Sequence, residues 1–382
     1  MKLVINTAHQ RIGGAVQVAL SFIEECRRFP ENEYYVWVGP GVRKALDETD
    51  FPANFHFQHF DFGVINLQKT FTINRMLREK EEAIKPDCII ATSGPSYFHS
   101  HAPQIMGYNL PLYIYPESPH IRSLSFHQRL RMALKKRMHF YFFKRDAHAF
   151  VVQTEDVNQR IRRALGRKEV FTVSNTHNAY YNNWKKLPPK LPPRSVDEFR
   201  FITISSYYKH KNLELIPAVL QELQRRGLKQ IKFVLTLQSK DFEAVFGSDH
   251  NGQLINVGPV QPAECPSLYA ECDALFLPTL AECFSASYPE AMTMEKPIVT
   301  TDLGFARSIC EDAALYFEPK NEKAAADAIE HLLENTLLQK ELISKGKFEV
   351  KRFDTPEQRA EKYLKLCEKY AGVSKNLKRA KR

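Results

Sequence analysis

Asp273-Ala-Leu-Phe-Leu277-Pro-Thr-Leu-Ala-Glu282-Cys-Phe-Ser-Ala-Ser-Tyr-Pro-Glu290-Ala-Met-Thr-Met-Glu-Lys-Pro-Ile-Val-Thr-Thr-Asp302-Leu-Gly304 decides the fold. Ala274 to Leu277 is a short apolar run stopped by Pro278, and Pro297 to Thr301 is a second, the pattern of two buried strands bracketing a helix. Such a βαβ unit opens a crevice at the carboxyl ends of its strands, where the first turn of the helix presents N–H groups. Small residues beside Phe284, namely Cys283, Ser285 and Ala286, let a ligand approach the backbone, and the helix dipole favours a phosphate there. Glu282 falls in the loop, and Glu290 falls at or near the helix start. Carboxylates so placed suit the adjacent hydroxyls of a sugar or a ribose. The spacing alone is weak, because the chain holds 44 acidic residues and most such groups are solvated.

Working outward, 382 residues give room for two domains, each able to bury a core. Hydrophobic content of 43% and charged content of 26% belong to a globular protein. Seven scattered cysteines, with no Cys-x-x-Cys and no zinc spacing, read as reduced thiols, mostly core filler, in a cytoplasmic protein. Met1-Lys-Leu-Val-Ile begins directly as a strand, so no leader peptide is expected, and no run reaches bilayer-spanning length. A net charge of +10 implies anionic partners: nucleic acid, a nucleotide sugar or an anionic membrane face.

The amino-terminal half alternates strand and helix signals. Strands are expected near Leu3, at Tyr34 to Val38, Phe55 to Phe60, Asp87 to Thr92, Gln104 to Asn109, Phe150 to Thr154 and Val170 to Ser174, with a helix from about Thr72 to Ile84. Gly13-Gly14 between the first strand and helix is a phosphate-tolerant turn, but it lacks the Gly-x-Gly-x-x-Gly of a nicotinamide or flavin site. His127 to Arg145 holds seven Lys or Arg and no acid. Its Leu130, Ala133, Leu134, Met138 and Tyr141 fall at helical spacing, which fits the core face of an amphipathic helix or, with the cations and a Phe-Tyr-Phe-Phe cluster, an interfacial one. A stiff, proline-rich linker at Leu187 to Arg194 precedes a second alternating set opening at Phe199, with a helix from Lys323 to Leu338. The domains expected are 1–183, a linker 184–198, 199–355, a last helix 356–373 and a basic tail 374–382 without fixed structure.

Glu-x7-Glu after an apolar strand, with Phe-Ser inside and Lys-Pro-Ile-Val and a Gly behind, resembles the donor-binding motif of the family 4 retaining glycosyltransferases of polysaccharide biosynthesis, which have the GT-B fold. The resemblance implies an α/β protein of two Rossmann-like domains facing a central cleft, and a last helix that returns to the first domain. It implies a hexosyltransferase that retains anomeric configuration, takes a nucleoside-diphosphate sugar and passes the sugar to a saccharide or lipid-linked saccharide acceptor. No cofactor and no metal are implied; an Asp-x-Asp metal motif is missing from the sequence.

Family roles carry over residue by residue. Glu282 would hold the sugar's hydroxyls and Glu290 the ribose. Cys283, Phe284 and Ser285 would line the diphosphate, with Gly13 and Gly14 opposite. Lys211 matches the family's pyrophosphate Lys, whereas Ser206 stands where the family has Arg, so Lys209 is the candidate for the missing charge. Gly258 and Val260 lie in the loop that would hold the base. The family's His-Asp pattern on the acceptor side is missing; His120 is the candidate, with Asn109, His99 and His101 as competitors. Domain closure is expected about 187–194. The basic helix and tail are candidates for a peripheral contact with the inner membrane face. A nucleotide-sugar epimerase of the same fold and a basic nucleic-acid-binding protein are the alternatives; the first needs further acid or base groups and the second stacking aromatics.

Overall fold

The computed structural model describes residues 1–247 and 252–380, with side chains to residue 372. The chain forms two compact units: unit 1 is 1–114, 124–175 and 354–382, and unit 2 is 115–123 and 176–353. Unit 1 holds seven strands, β1 (Lys2–Asn6), β2 (Glu33–Val38), β3 (Phe55–His59), β4 (Cys88–Ala91), β5 (Gln104–Gly107), β6 (Ala149–Val152) and β7 (Val170–Thr172). They pair in the order β3-β2-β1-β4-β5-β6-β7, all parallel. Every residue of β4, β5 and β6 is buried, as strands covered on both faces require.

Unit 2 holds β8 (Phe199–Thr203), β9 (Ile231–Leu235), β10 (Leu254–Asn256), β11 (Ala274–Leu277), β12 (Ile298–Thr301) and β13 (Ala314–Phe317), in the parallel order β10-β9-β8-β11-β12-β13. The direction of winding reverses between β8 and β11, and ligands of open parallel sheets bind outside the carboxyl ends of the strands at such a point.

The helix expected from Thr72 begins at Leu67, because the Asn66 side chain accepts from Lys69 N at 2.9 Å and caps it. The helix expected over Lys323–Leu338 is two, Glu322–Glu334 and Thr336–Glu349, parted at Asn335, whose side chain accepts from Leu338 N and starts the second. The last helix runs Pro356–Ala380 and belongs to unit 1; Ala360, Tyr363, Leu364 and Cys367 enter its core. Its buried Arg359 bonds Asn175 and Ser21 Oγ. Most of the basic tail therefore continues this helix rather than hanging loose, and the tail's side chains lie outside the described residues.

Two further expectations change. The linker at 187–194 is part of unit 2 and not a joint. Leu187 N donates to Ser267 Oγ, Lys190 N and Leu191 N donate to the Glu271 carboxylate, and Arg194 pairs with Asp273 at 2.8 Å. The chain passes from unit 1 to unit 2 earlier, at Asn175 and Thr176. In the helix Phe126–Asp146 the expected core face is on the surface: Leu130, Leu134 and Tyr141 are 50%, 63% and 59% exposed. Its buried residues are His139, Phe142, Phe143 and Asp146, near the carboxyl end.

Candidate active site

The site grows from the ends of β8 and β11. Buried threonines fix these ends by donating to carbonyls: Thr203 Oγ1 to Phe276 O, Thr300 Oγ1 to Leu277 O and Thr301 Oγ1 to Thr279 O, at 2.5, 2.8 and 2.6 Å. Tyr288, in the helix Ser287–Thr293, meets Thr300 Oγ1 at 2.8 Å and ties that helix to the same edge. Two turns are then stitched together, since His210 O accepts from Leu280 N at 2.7 Å, with Thr279 Oγ1 3.3 Å away. Asn212, at φ 55°, turns the chain out of the 3-10 turn Lys209–Lys211.

This stitching places Lys211 beside Glu282. Lys211 Nζ donates to Glu282 Oε1 at 2.5 Å and Thr279 Oγ1 donates to the same oxygen at 3.0 Å; the two charged side chains are only 16% and 11% exposed. Glu290 lies in the first turn of the helix Ser287–Thr293, half-buried. Burial pushes its carboxyl up to about 7, while the nearby Tyr181 and Tyr269 phenols and the Lys211 cation pull the other way. One ammonium therefore serves two carboxylates of different character. Lys211 has three N–H donors and spends one on Glu282, which leaves donors for an anion.

His120 lies within unit 2, because residues 115–123 pack there although unit 1 flanks them in sequence. Ser118 holds the segment: its Oγ donates to Leu280 O at 2.7 Å and accepts from His120 N at 3.2 Å. The His120 ring stands edge-on to His210, with centroids 6.2 Å apart. Burial lowers the His120 pKa, helped by the Lys320 charge. His210 was legible only as part of a cationic Lys-His-Lys loop; it stacks on Tyr208 at 5.5 Å, and burial drives it down to about 4, against the pull of Glu282, so it is neutral at pH 7.

The remaining candidates divide. Lys209 is 73% exposed and pairs with Glu214 at 2.9 Å, with its pKa raised by the Tyr207 hydroxyl and Glu214. Ser206 is exposed. Gly258 has φ 75°, a backbone conformation that glycine takes without strain, and Val260 packs half-buried on the unit 2 core. Cys283 and Ser285 are buried, and Phe284 meets Phe353 edge-on at 5.6 Å. Gly13, at φ 81°, and Gly14 begin the helix Gly14–Glu25 in unit 1. Asn109, His99 and His101 are also unit 1 residues; Asn109 Oδ1 accepts from Ser93 Oγ and His99 Nδ1 contacts Arg145 O.

Residues 189–348, all in unit 2, match the family model described as Glycosyl transferases group 1. Alpha-galactosylglucosyldiacylglycerol synthase of Streptococcus pneumoniae (strain ATCC BAA-255 / R6) is 24% identical over 63% of this chain, and the chain spans just under two thirds of that relative, 66%. Among solved structures, sucrose-phosphate synthase from Thermosynechococcus elongatus superposes with a TM-score of 0.71 at 12% identity, over 97% of this chain and 99% of that one. WaaG, a glycosyltransferase involved in lipopolysaccharide biosynthesis, gives 0.70 at 12% identity over 98% and 99%. HepE of Anabaena, solved with UDP and glucose, gives 0.69 at 16% identity over 95% and 99%. At these identities the likeness establishes the fold: two parallel α/β domains of the GT-B glycosyltransferase kind.

Proposed function

We propose that the protein is a retaining, metal-independent glycosyltransferase that takes a nucleoside-diphosphate sugar and passes the sugar to an acceptor hydroxyl. The observation that carries this reading is the convergence of Lys211, Glu282 and Glu290 at the switch point of unit 2, inside the stretch that matches the group 1 family. In the reaction the bond from the sugar's anomeric carbon to the diphosphate oxygen breaks. The acceptor oxygen bonds to that carbon, and its proton ends on the released diphosphate. The free donors of Lys211 stabilise the charge of the leaving group, the task for which fixed donors in a poorly solvated pocket are most effective. Glu282 holds sugar hydroxyls and Glu290 the ribose diol. The reading is tested by thermal melting with UDP, GDP, ADP and their glucose conjugates. At a hundredfold excess over the dissociation constant, the right nucleotide should add about 2.7 kcal/mol, roughly 5–10 °C in a unit of this size. Melting points unmoved by every nucleotide at millimolar concentration would remove the donor site.

For the acceptor and the place of work, the first turns of the helix Phe126–Asp146 supply the support. Residues 126–131 are all exposed, and Phe126 (75%), Leu130 and Leu134 form one apolar stripe at helical spacing, among Arg129, Arg131, Lys135 and Arg137 with no acid before Asp146. Nothing in a soluble core explains that stripe, and it suits the surface of an anionic bilayer. No described helix is long and apolar enough to cross a membrane. The named activities of the pneumococcal relative and of WaaG, on a glycolipid and in lipopolysaccharide biosynthesis, fit a lipid-linked saccharide acceptor. Each cation near such a surface contributes up to about 1 kcal/mol. The protein should co-sediment with anionic vesicles, less so in high salt and in Lys135→Glu/Arg137→Glu. Equal recovery in the supernatant with anionic and neutral vesicles at low salt would exclude this surface.

A further inference from the structure

We propose that Tyr181 is a positioning residue for the donor's ribose: held inside unit 2 with its hydroxyl toward Glu290, it sets the orientation in which that carboxylate receives the diol. The inference rests on the ribose role given to Glu290 above. Tyr181 ends the 3-10 turn Ala179–Tyr181, soon after the chain enters unit 2 at Thr176. It is 4% exposed and fixed by edge-on packing against Tyr269, at 6.0 Å and 67°, and against His177, at 6.1 Å and 76°. So rigid a phenol would normally spend its hydroxyl on a backbone carbonyl, as Tyr269 does on Ser287 O at 3.4 Å. The Tyr181 hydroxyl, by contrast, is buried and makes no hydrogen bond of normal geometry, a state uncommon enough in a folded protein to need an explanation.

The group it faces supplies one. Glu290 lies against the phenols of Tyr181 and of Tyr269 in the helix Cys265–Ala270, and it feels the Lys211 ammonium from the turn after β8 while adding to the burial that raises the Cys265 thiol of the same helix. A carboxyl pushed up to about 7 spends much of its time protonated at neutral pH, and in that form it has less need of the Tyr181 donor. Ionised, it accepts from Tyr181 on its protein side and offers its outer lone pairs to the two ribose hydroxyls, each donor favouring the others. Donor binding is then tied to loss of one proton. Affinity rises as pH climbs through the Glu290 titration, because only the ionised carboxylate accepts from both hydroxyls.

The test is calorimetric binding to the full chain between pH 6 and 8.5, using whichever of UDP-, GDP- and ADP-glucose binds tightest. A nucleotide sugar has no phosphate proton of its own to lose in that window, so the pH profile belongs to the protein. The parent should gain affinity toward high pH. Tyr181→Phe, which keeps the ring packing and removes only a hydroxyl that lacks a hydrogen bond of normal geometry, should melt close to the parent. It should lose roughly three- to tenfold in affinity at pH 7, with its profile displaced to higher pH and turnover at saturating donor unchanged. Glu290→Ala should bind about tenfold more weakly with a flat profile, and adding Tyr181→Phe to it should change nothing. An unaltered profile in Tyr181→Phe, or the same loss from it in the Glu290→Ala background, would overturn the inference. A parent that binds none of the three sugars sinks the donor reading, and this inference with it.

Discussion

Glu282→Gln is expected to fold, to bind the bare nucleoside diphosphate within about threefold of the parent, and to lose turnover by roughly 10²–10³-fold, the loss seen when one fixed electrostatic partner of a transition state is removed. Glutamine keeps the shape and still accepts from Lys211 Nζ and Thr279 Oγ1, so the two stitched turns should stay in place. What it lacks is the charge that firms hydrogen bonds to sugar hydroxyls as positive character develops at the anomeric carbon. On the proposed reading Glu282 faces the sugar rather than the nucleotide, and the split between intact binding and lost turnover is therefore the diagnostic. Steady-state kinetics beside calorimetry with the diphosphate alone reads it. A variant with turnover within a few-fold of the parent would take Glu282 out of the reaction.

Why this pair was visible in the sequence, and its surroundings were not, follows from what each depends on. Glu282 and Glu290 lie on one short βαβ unit, so their separation along the chain fixes their separation in space, and an apolar run stopped by Pro278 is enough to set the frame. Lys211 is legible for a similar reason, since it lies one turn beyond the strand that neighbours β11. His210 is harder, because a lone histidine between two lysines reads as a charged loop. Its carbonyl meets Leu280 and Thr279, some seventy positions away, and the ring is half-buried there, a setting that no local pattern announces. The packing of 115–123 with unit 2 draws on contacts of ordinary type, such as Ser118 Oγ reaching Leu280 O and the His120 ring meeting His210. The linker misled for a physical reason too: proline stiffens 187–194, but the backbone N–H groups of Leu187, Lys190 and Leu191 still found acceptors on unit 2. Periodicity in the helix Phe126–Asp146 shows that a stripe exists but not what covers it, so a core face and a membrane face look alike until exposure is known. β13 escaped notice because Ala314-Leu-Tyr-Phe is short and its Leu315 and Tyr316 are half-exposed at the sheet edge.

Lys211→Met should have the widest consequences, because the ammonium is committed twice. Its bond to Glu282 offsets the cost of holding a carboxylate in a place only 11% exposed; without it Glu282 is left nearly buried and unpaired. Breaking a fully buried pair costs about 3–5 kcal/mol, and one with this residual exposure should cost less, on the order of 1–3 kcal/mol, or several degrees of melting temperature. On the proposed function its remaining donors serve the diphosphate, and losing a charge-assisted bond of about 1.5–3 kcal/mol corresponds to roughly a ten- to hundredfold weaker dissociation constant. The two losses are separable. In the double variant Lys211→Met/Glu282→Gln the ion pair is removed whole and only the more distant pull of Lys211 on Glu290 is missing, so thermal stability should return most of the way to the parent. Diphosphate affinity should stay as low as in Lys211→Met alone, since glutamine brings no cation. Melting curves and calorimetry on the parent, both single variants and the double complete the cycle. Recovery of binding together with stability would mean that Lys211 acts only by keeping Glu282 folded in place, and that the diphosphate is held by other groups. Stability recovered with binding still lost assigns the cation to the donor's phosphates, and explains why a buried ion pair stands at the point of unit 2 where hydrophobic side chains would have been the more stable filling.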